Sequence, residues 1–283
     1  MNSLSQRLQE DEILIAPGVF DMISAKVADS MGFDVLYMTG YGVVASHLGL
    51  PDAGIATYSD MVSRVRQIAE GTSTPLIADG DTGYGGLLNL EHTVRGYERA
   101  GATAIQLEDQ EFPKKCGHML GRSVVPLDDM LAKIRVARDT RDSDDFLIIA
   151  RTDSRTTLGL DEALKRADAF AEAGADILFV ESPESEEEMR TICERFDKPL
   201  LANMVEGGRT PVLSRDELQD LGYSIALFPG SGFLAAGQAL ASVYGHLKEH
   251  GSTAGAEVPF YSFPEFSQLM GFGKVYDFEQ KYK

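Results

Sequence analysis

The stretch LKRADAFAEAGADILFVE, residues 164–181, decides the fold. Leu164, Ala167, Phe170 and Ala171 recur at helical spacing and share one apolar face. Gly174 stands where that helix should stop, because glycine takes the left-handed cap conformation without steric cost. Ile177–Glu181 then reads as a short strand that ends in an acid. Helix, glycine turn and strand thus follow one another within a few residues.

The unit recurs. Met31-Gly32-Phe33-Asp34, Ala100-Gly101-Ala102-Thr103 and Leu221-Gly222-Tyr223-Ser224 repeat the turn of Ala173-Gly174-Ala175-Asp176, and Leu127, Met130, Ile134 and Ala137 line another helix face. Strand-like runs fall at Ile13–Ala16, Val35–Thr39, Pro75–Asp79, Ala104–Glu108, Phe146–Arg151, Ile177–Glu181, Leu200–Asn203 and Ile225–Phe228. Strands alternating with helices pair in parallel, with the helices outside the sheet. Eight such strands with one turn chemistry predict an α/β fold, the (β/α)8 TIM barrel. An open doubly wound sheet is the alternative, but it often carries a glycine-rich phosphate loop after its first strand, and Pro17-Gly18-Val19-Phe20 is not one. One domain is expected over residues 1–283, with an aromatic-rich helical tail from about residue 253 to 283. The tail holds Phe260, Tyr261, Phe263, Phe266, Phe272, Tyr276, Phe278 and Tyr282, for packing either on its own barrel or on another subunit.

Asp and Glu outnumber Lys and Arg by 44 to 26, a formal net charge of -18. Such a surface repels polyanions, so nucleic acid and anionic membranes are excluded as natural partners and a divalent cation is the better guest. Two cysteines, Cys116 and Cys193, imply no disulfide framework, and Cys193 sits at helical spacing as inert core. The N-terminus from Met1 to Arg7 is polar, and no apolar run approaches the roughly 20 residues that span a bilayer. A cytoplasmic protein is expected.

Polar groups gather where the strands stop, and in a barrel those ends form the catalytic face. They are Tyr37, Thr39, Gly40 and Tyr41, then Asp79 and Asp81, Glu108 and Asp109, Arg151 and Asp153, Glu181, and Asn203. In extended chain, Asp79 and Asp81 would point the same way, either holding a cation between them or capping a turn. Oxygen-only ligands suit Mg2+, with Mn2+ as the alternative, and Glu108 on the same face favours the metal. Arg151 is suited to bind a substrate carboxylate bidentately, or else to pair with one of the acids. Thr39 and Gly40 offer a hydroxyl and close backbone approach to a second carboxylate. Lys114-Lys115-Cys116-Gly117-His118 places a thiol among cations, where a thiolate is stabilised, in a segment that glycine lets bend over a ligand.

These segments resemble the isocitrate lyase/phosphoenolpyruvate mutase superfamily, in its small lyase branch. The resemblance is carried by Tyr37-Met38-Thr39-Gly40-Tyr41-Gly42, Leu48-Gly49-Leu50-Pro51-Asp52, Ala78-Asp79-Gly80-Asp81-Thr82-Gly83-Tyr84-Gly85, Glu108-Asp109-Gln110, Lys114 to His118, Ala150-Arg151-Thr152-Asp153 and Leu201-Ala202-Asn203-Met204. It implies a barrel whose last helix is swapped between subunits, a homotetramer, and Mg2+-dependent cleavage of a C–C bond in a small di- or tricarboxylate. On it, Asp79, Asp81 and Glu108 serve the metal. Thr39, Gly40, Tyr41, Asp52, Gly117, Arg151, Glu181 and Asn203 hold substrate. Cys116 is the acid/base on a gating loop, supported by Lys114 and His118, and Tyr37 or Glu108 removes the substrate's hydroxyl proton. A substituted malate of the 2,3-dimethylmalate kind is the expected substrate, ahead of oxaloacetate and 2-methylisocitrate. A catalytically silent metabolite-binding protein is the reading from a different class.

Overall fold

The computed structural model describes residues 3–283; Met1 and Asn2, part of the polar N-terminus, lie outside the described residues. Eight strands run in chain order as β1 (Leu14–Val19), β2 (Leu36–Met38), β3 (Leu76–Asp79), β4 (Ala104–Glu108), β5 (Leu147–Thr152), β6 (Ile177–Val180), β7 (Leu201–Asn203) and β8 (Ile225–Phe228). All neighbours are parallel, in the order β6-β5-β4-β3-β2-β1-β8-β7. β1 pairs with both β2 and β8, Gly18 opposite Tyr37 and Ala16 opposite Leu227. A lone parallel bridge, Leu178 to Leu200, joins the two ends and nearly closes the ring. This is a (β/α)8 TIM barrel, and the open-sheet alternative falls away.

The turn chemistry works as the sequence implies. The helix Leu160–Ala173 ends at Gly174 with φ 110° and Arg215–Leu221 ends at Gly222 with φ 109°, a left-handed conformation in which a side chain would be strained. β1 runs past the expected Ala16 to Val19, because Pro17 still faces Phe228 and Gly18 faces Tyr37.

The core has two layers. Between strands and helices lie residues such as Met61, Ile68, Leu90, Val94, Met130, Ile134 and Phe170. Inside the bore Leu14, Val35, Ile77, Ile149, Ile177, Leu201 and Ile225 pack together, joined by Leu4 from the short helix Leu4–Arg7. The apolar filling of the bore leaves only the strand ends for polar chemistry.

The tail departs from one expectation. The helices Ser231–His250, Phe263–Leu269 and Phe272–Lys281 bury no residue, and Phe263, Phe278 and Tyr282 are 84%, 64% and 68% exposed. Phe233 and Ala236 pack against the barrel, but Leu240, Tyr244 and Leu247 farther along the same helix are exposed. Most of the tail aromatics are therefore left uncovered by their own barrel, although the helix Phe263–Leu269 touches the barrel helix Met22–Ser30; a 20-residue helix of about 30 Å outruns the surface its first turns cover. No helix among the described residues is long and apolar enough to cross a membrane.

Candidate active site

Asp79 ends β3, and its carboxylate is held by the chain itself. Oδ2 accepts from the Gly40 amide at 3.2 Å, and Oδ1 from the Asp81 amide at 3.0 Å. Gly40 has no room for a side chain, since a Cβ there would stand 2.5 Å from Asp79 Oδ2. Asp81 is not in extended chain: the strand stops at Asp79 and Asp81 has φ 47°. Alternation therefore does not bring the two carboxylates together; a turn does. Burial, then the charge of Asp81, pushes the Asp79 carboxyl up to about 6.

Lys114 lies between two of these acids. Its buried ammonium is 2.6 Å from Asp52 Oδ1 and 2.5 Å from Asp81 Oδ1. Burial alone would lower its pKa, but Asp81, Glu108, Asp52 and Asp79 together raise it well above the usual lysine value. Among the described residues no three His, Cys, Asp or Glu side chains are gathered as a ready metal cluster. The donor chemistry nevertheless suits a hard cation. Asp81 Oδ1 and Glu108 Oε1 are buried acceptors with no hydrogen-bond donor, the former facing Lys114 at short range but without bonding geometry.

Glu108 ends β4, 3.6 Å from Arg151 Nη1. Burial, only partly offset by Arg151 and Lys114, holds its carboxyl well above the usual range. Arg151 on β5 is committed to acids. Nε and Nη2 both donate to Asp153 at 2.9 Å, Nη2 lies 3.2 Å from Glu181 Oε2, and the guanidinium sits over Phe179. The fork suited to a bidentate substrate carboxylate is occupied by Asp153, which leaves Nη1 toward the cavity side of Glu108. Glu181 also accepts from Asn203 Nδ2 at 2.9 Å. Burial acts to raise its pKa, yet Arg151, His118 and Asn203 hold it below the ordinary glutamate value.

The segment from Phe112 to Arg122 folds over this mouth. Its neck is pinned by a bridge between Gln110 and Val124 and by the Glu111 amide donating to the Ser123 carbonyl. At its tip, a Cβ on Gly117 would stand 2.2 Å from Arg151 Nη2 and 2.8 Å from Glu181 Oε2, so only glycine sits this close to the ion pair. The thiol is not nested among cations. Lys114 is spent on carboxylates and Lys115 Nζ donates to the Gly121 carbonyl. Burial pushes the Cys116 thiol up, against the backbone hydrogen bond from His118, so it is held as a protonated SH rather than a stabilised thiolate. His118 accepts from the Arg209 amide through Nδ1 at 3.1 Å, which places the proton of the neutral ring on Nε2, 3.5 Å from Glu181. Burial lowers its pKa, in keeping with that neutral form.

Tyr37 donates to Gln106 Oε1 at 2.6 Å, and burial foremost, with Asp79 next, raises its phenol well above the usual value. Thr39 precedes the helix Gly40–Leu48 at the end of β2, and the Tyr41 ring meets Phe233 at a tilt, centroids 5.1 Å apart. Together Tyr37, Thr39, Tyr41, Asp52, Asp79, Glu108, Lys114, Cys116, Gly117, His118, Arg151 and Asn203 line one cavity of about 60 Å³. Its opposite wall is apolar, from Val205, Leu227, Pro229 and Phe233. Asp81 and Glu181 stand just behind the lining, through Lys114 and Arg151.

Sequence reasoning passed over Gln106, Arg122 and Ser182. Gln106 shares β4 parity with Glu108 and so points inward, a signal that was available. Arg122 bonds Asp153 at 2.5 Å and Ser182 bonds Gly117, contacts with no local pattern. Cys193 is half-buried, its thiol pushed up to about 12 by burial.

The barrel carries a buried acid-rich mouth under a cysteine-bearing loop, and its relatives include named lyases, which makes the chain an enzyme of the carbon–carbon lyase type. The chain belongs to the phosphoenolpyruvate phosphomutase family, whose model matches residues 4–248. It is 50% identical over 279 residues to 2,3-dimethylmalate lyase of Eubacterium barkeri, covering 99% of this chain and 96% of the relative. An oxaloacetate acetylhydrolase solved with the inhibitor 3,3-difluorooxalacetate superposes with a TM-score of 0.94 at 35% identity, covering 99% of this chain and 96% of that one. A phosphonopyruvate hydrolase solved with oxalate and Mg2+ gives a TM-score of 0.89 at 29% identity, covering 99% and 97%.

Proposed function

We propose that the enzyme cleaves a substituted malate of the 2,3-dimethylmalate kind to pyruvate and propionate, with Mg2+ as its metal and Mn2+ as a substitute. The observation that carries this reading is the divided cavity. One wall is charged; the other, made by Val205, Leu227, Pro229 and Phe233, is apolar and suits methyl groups. Its cations, Lys114 and Arg151, are already committed to carboxylates. A third substrate carboxylate, as in 2-methylisocitrate, would find no free cation in that lining. The likeness to the 50% identical lyase points the same way.

Asp79 and Asp81 would hold the metal with Glu108 beside them, and the oxygen-only donors fit Mg2+. When bound, it supplies Lewis acidity at the substrate's C2 oxygen and adjoining carboxylate. Glu108 takes the C2 hydroxyl proton: its burial makes the ionised form a strong base, and Oε1 is free to accept. Tyr37 is the poorer base, as its proton is held by Gln106 and its pKa is raised. The C2–C3 bond then breaks, C2 becoming the ketone of pyruvate while the electron pair stays on substrate C3, the carbon beside the carboxylate in the propionate fragment. Thr39, the Gly40 amide region, Tyr41, Asp52, Arg151 and Asn203 hold the ends of the substrate, with Glu181 behind Arg151. Cys116 delivers its proton to C3, a task that favours a thiol kept protonated by burial. Lys114 and His118 seat the loop, and the closed loop excludes water from the carbanionic carbon.

Oxaloacetate hydrolysis to acetate and oxalate is the second reading, favoured by the oxaloacetate acetylhydrolase likeness. Incubating enzyme and Mg2+ separately with dimethylmalate, methylisocitrate, isocitrate and oxaloacetate, and identifying products by NMR, separates them. Propionate with pyruvate supports the proposal; acetate with oxalate transfers it to the second reading, and no turnover of any of the four removes both. The assembly reading is a homotetramer with the last helix exchanged, which would cover the exposed Leu240, Tyr244 and Leu247. Light scattering that finds a monomer at micromolar concentration would end it.

A further inference from the structure

We infer that Ser182 is a positioning residue whose hydroxyl fastens the Cys116 loop to the mouth. Ser182 follows β6 and Glu181 and is fully buried. Its backbone has φ 58°, a left-handed conformation in which a side chain is strained. A buried, strained residue at the rim of a site asks for a reason, and glycine would occupy this backbone more comfortably. The side chain supplies the reason. Ser182 Oγ lies 3.1 Å from the Gly117 carbonyl and 3.0 Å from Glu181 Oε1. A hydroxyl has one proton to donate, so these two acceptors share it.

Glu181 has other partners: Asn203 and Arg151 reach its Oε2, and His118 Nε2 stands 3.5 Å from the Oε1 that Ser182 bonds. The contact that changes on opening the loop is the one to Gly117. Gly117 lies at the tip, pressed on the Arg151–Glu181 pair, with Cys116 and His118 on either side. Holding its carbonyl therefore sets where the thiol points. When the loop lifts, the Ser182 proton turns wholly to Glu181, so the hydroxyl serves both positions and leaves neither buried oxygen bare.

The inference deepens the proposed role of the loop and rests on it for turnover, but its main test needs no substrate. In Ser182→Gly the hydroxyl is lost while the left-handed backbone becomes easier, so Tm should equal or exceed that of the wild type. Alkylation of Cys116 by iodoacetamide, followed by peptide mass spectrometry with Cys193 as internal reference, should quicken by at least about fivefold as the loop spends more time open. With whichever substrate is turned over, kcat should fall while KM stays within about twofold. Ser182→Ala, which keeps the strained backbone and lacks the hydroxyl, should alkylate as fast as Ser182→Gly. Wild-type alkylation of Cys116 in either folded variant overturns the inference. Fast alkylation without any lyase activity would instead remove the proposed reaction and leave the fastening role standing.

Discussion

At the floor of the bore Leu14, Ile177, Leu201 and Ile225 begin their strands among apolar neighbours, with Leu4 beneath them. At the mouth, one strand length away, β3, β4 and β5 end in or carry Asp79, Glu108 and Arg151, and Glu181 follows β6, all of them buried. The floor gains by leaving water. The mouth loses by it: Asp79 and Glu108 are pushed upward in pKa by burial before any other influence. The same barrel thus keeps its stability at one end and its reactivity, at some cost in stability, at the other.

That contrast can be broken at either end. The largest effect is expected from Asp81→Asn, which should lower turnover by at least about a hundredfold by weakening metal binding, with only a small change in Tm because Lys114 keeps its ion pair with Asp52. Turnover by NMR and a thermal melt check it together, and a steep fall in Tm would refute the division of labour. Next, Cys116→Ser should lower turnover by at least about tenfold, the loss expected of an impaired general acid. Turnover near the wild-type rate would remove the thiol from the chemistry. At the floor, Ile177→Ala should cost about 2–5 kcal/mol in urea unfolding while leaving kcat per folded molecule within about twofold.

The smallest effect concerns pH. Asp79 and Asp109 are both pushed up to about 6 by burial first, from an ordinary 3.8. A raised folded pKa means the folded state binds more protons, so this contribution is fully present below the ordinary value and is lost as pH rises through about 6. Metal-free enzyme should therefore melt higher near pH 5 than near pH 7, less so in Asp109→Asn. His118, whose pKa burial lowers, works against this trend over the range below its ordinary value. An equal pH response in Asp109→Asn would show that the carboxyl does not contribute.

The barrel was legible because its signals are local. The helix face at Leu164, Ala167 and Phe170, the stop at Gly174 and the run from Ile177 lie within one short window, and the same chemistry repeats along the chain. The gathering of strand-end polar groups followed from the fold, and the cavity does bring Asp79, Glu108, Arg151 and Asn203 together with Cys116. Pairings were not legible. Whether Arg151 faces a ligand or Asp153, and whether Lys114 steadies the thiol or bridges Asp52 and Asp81, depends on residues remote in sequence and on distances of an ångström. The thiol's character went astray for the same reason: charge in a motif says nothing about burial. The exposed tail was ambiguous because aromatic content is the same whichever surface it covers.

The packed bore has one more consequence. Leu4 and the inward layers from Leu14 to Leu227 leave the described barrel no channel along its axis. On the proposed reaction, water, substrate and product would all use the mouth beneath the segment from Phe112 to Arg122, whose residues line the cavity. A step that must stay dry and a step that must exchange with solvent would then have to alternate there, which would make this strip of chain the valve of the reaction.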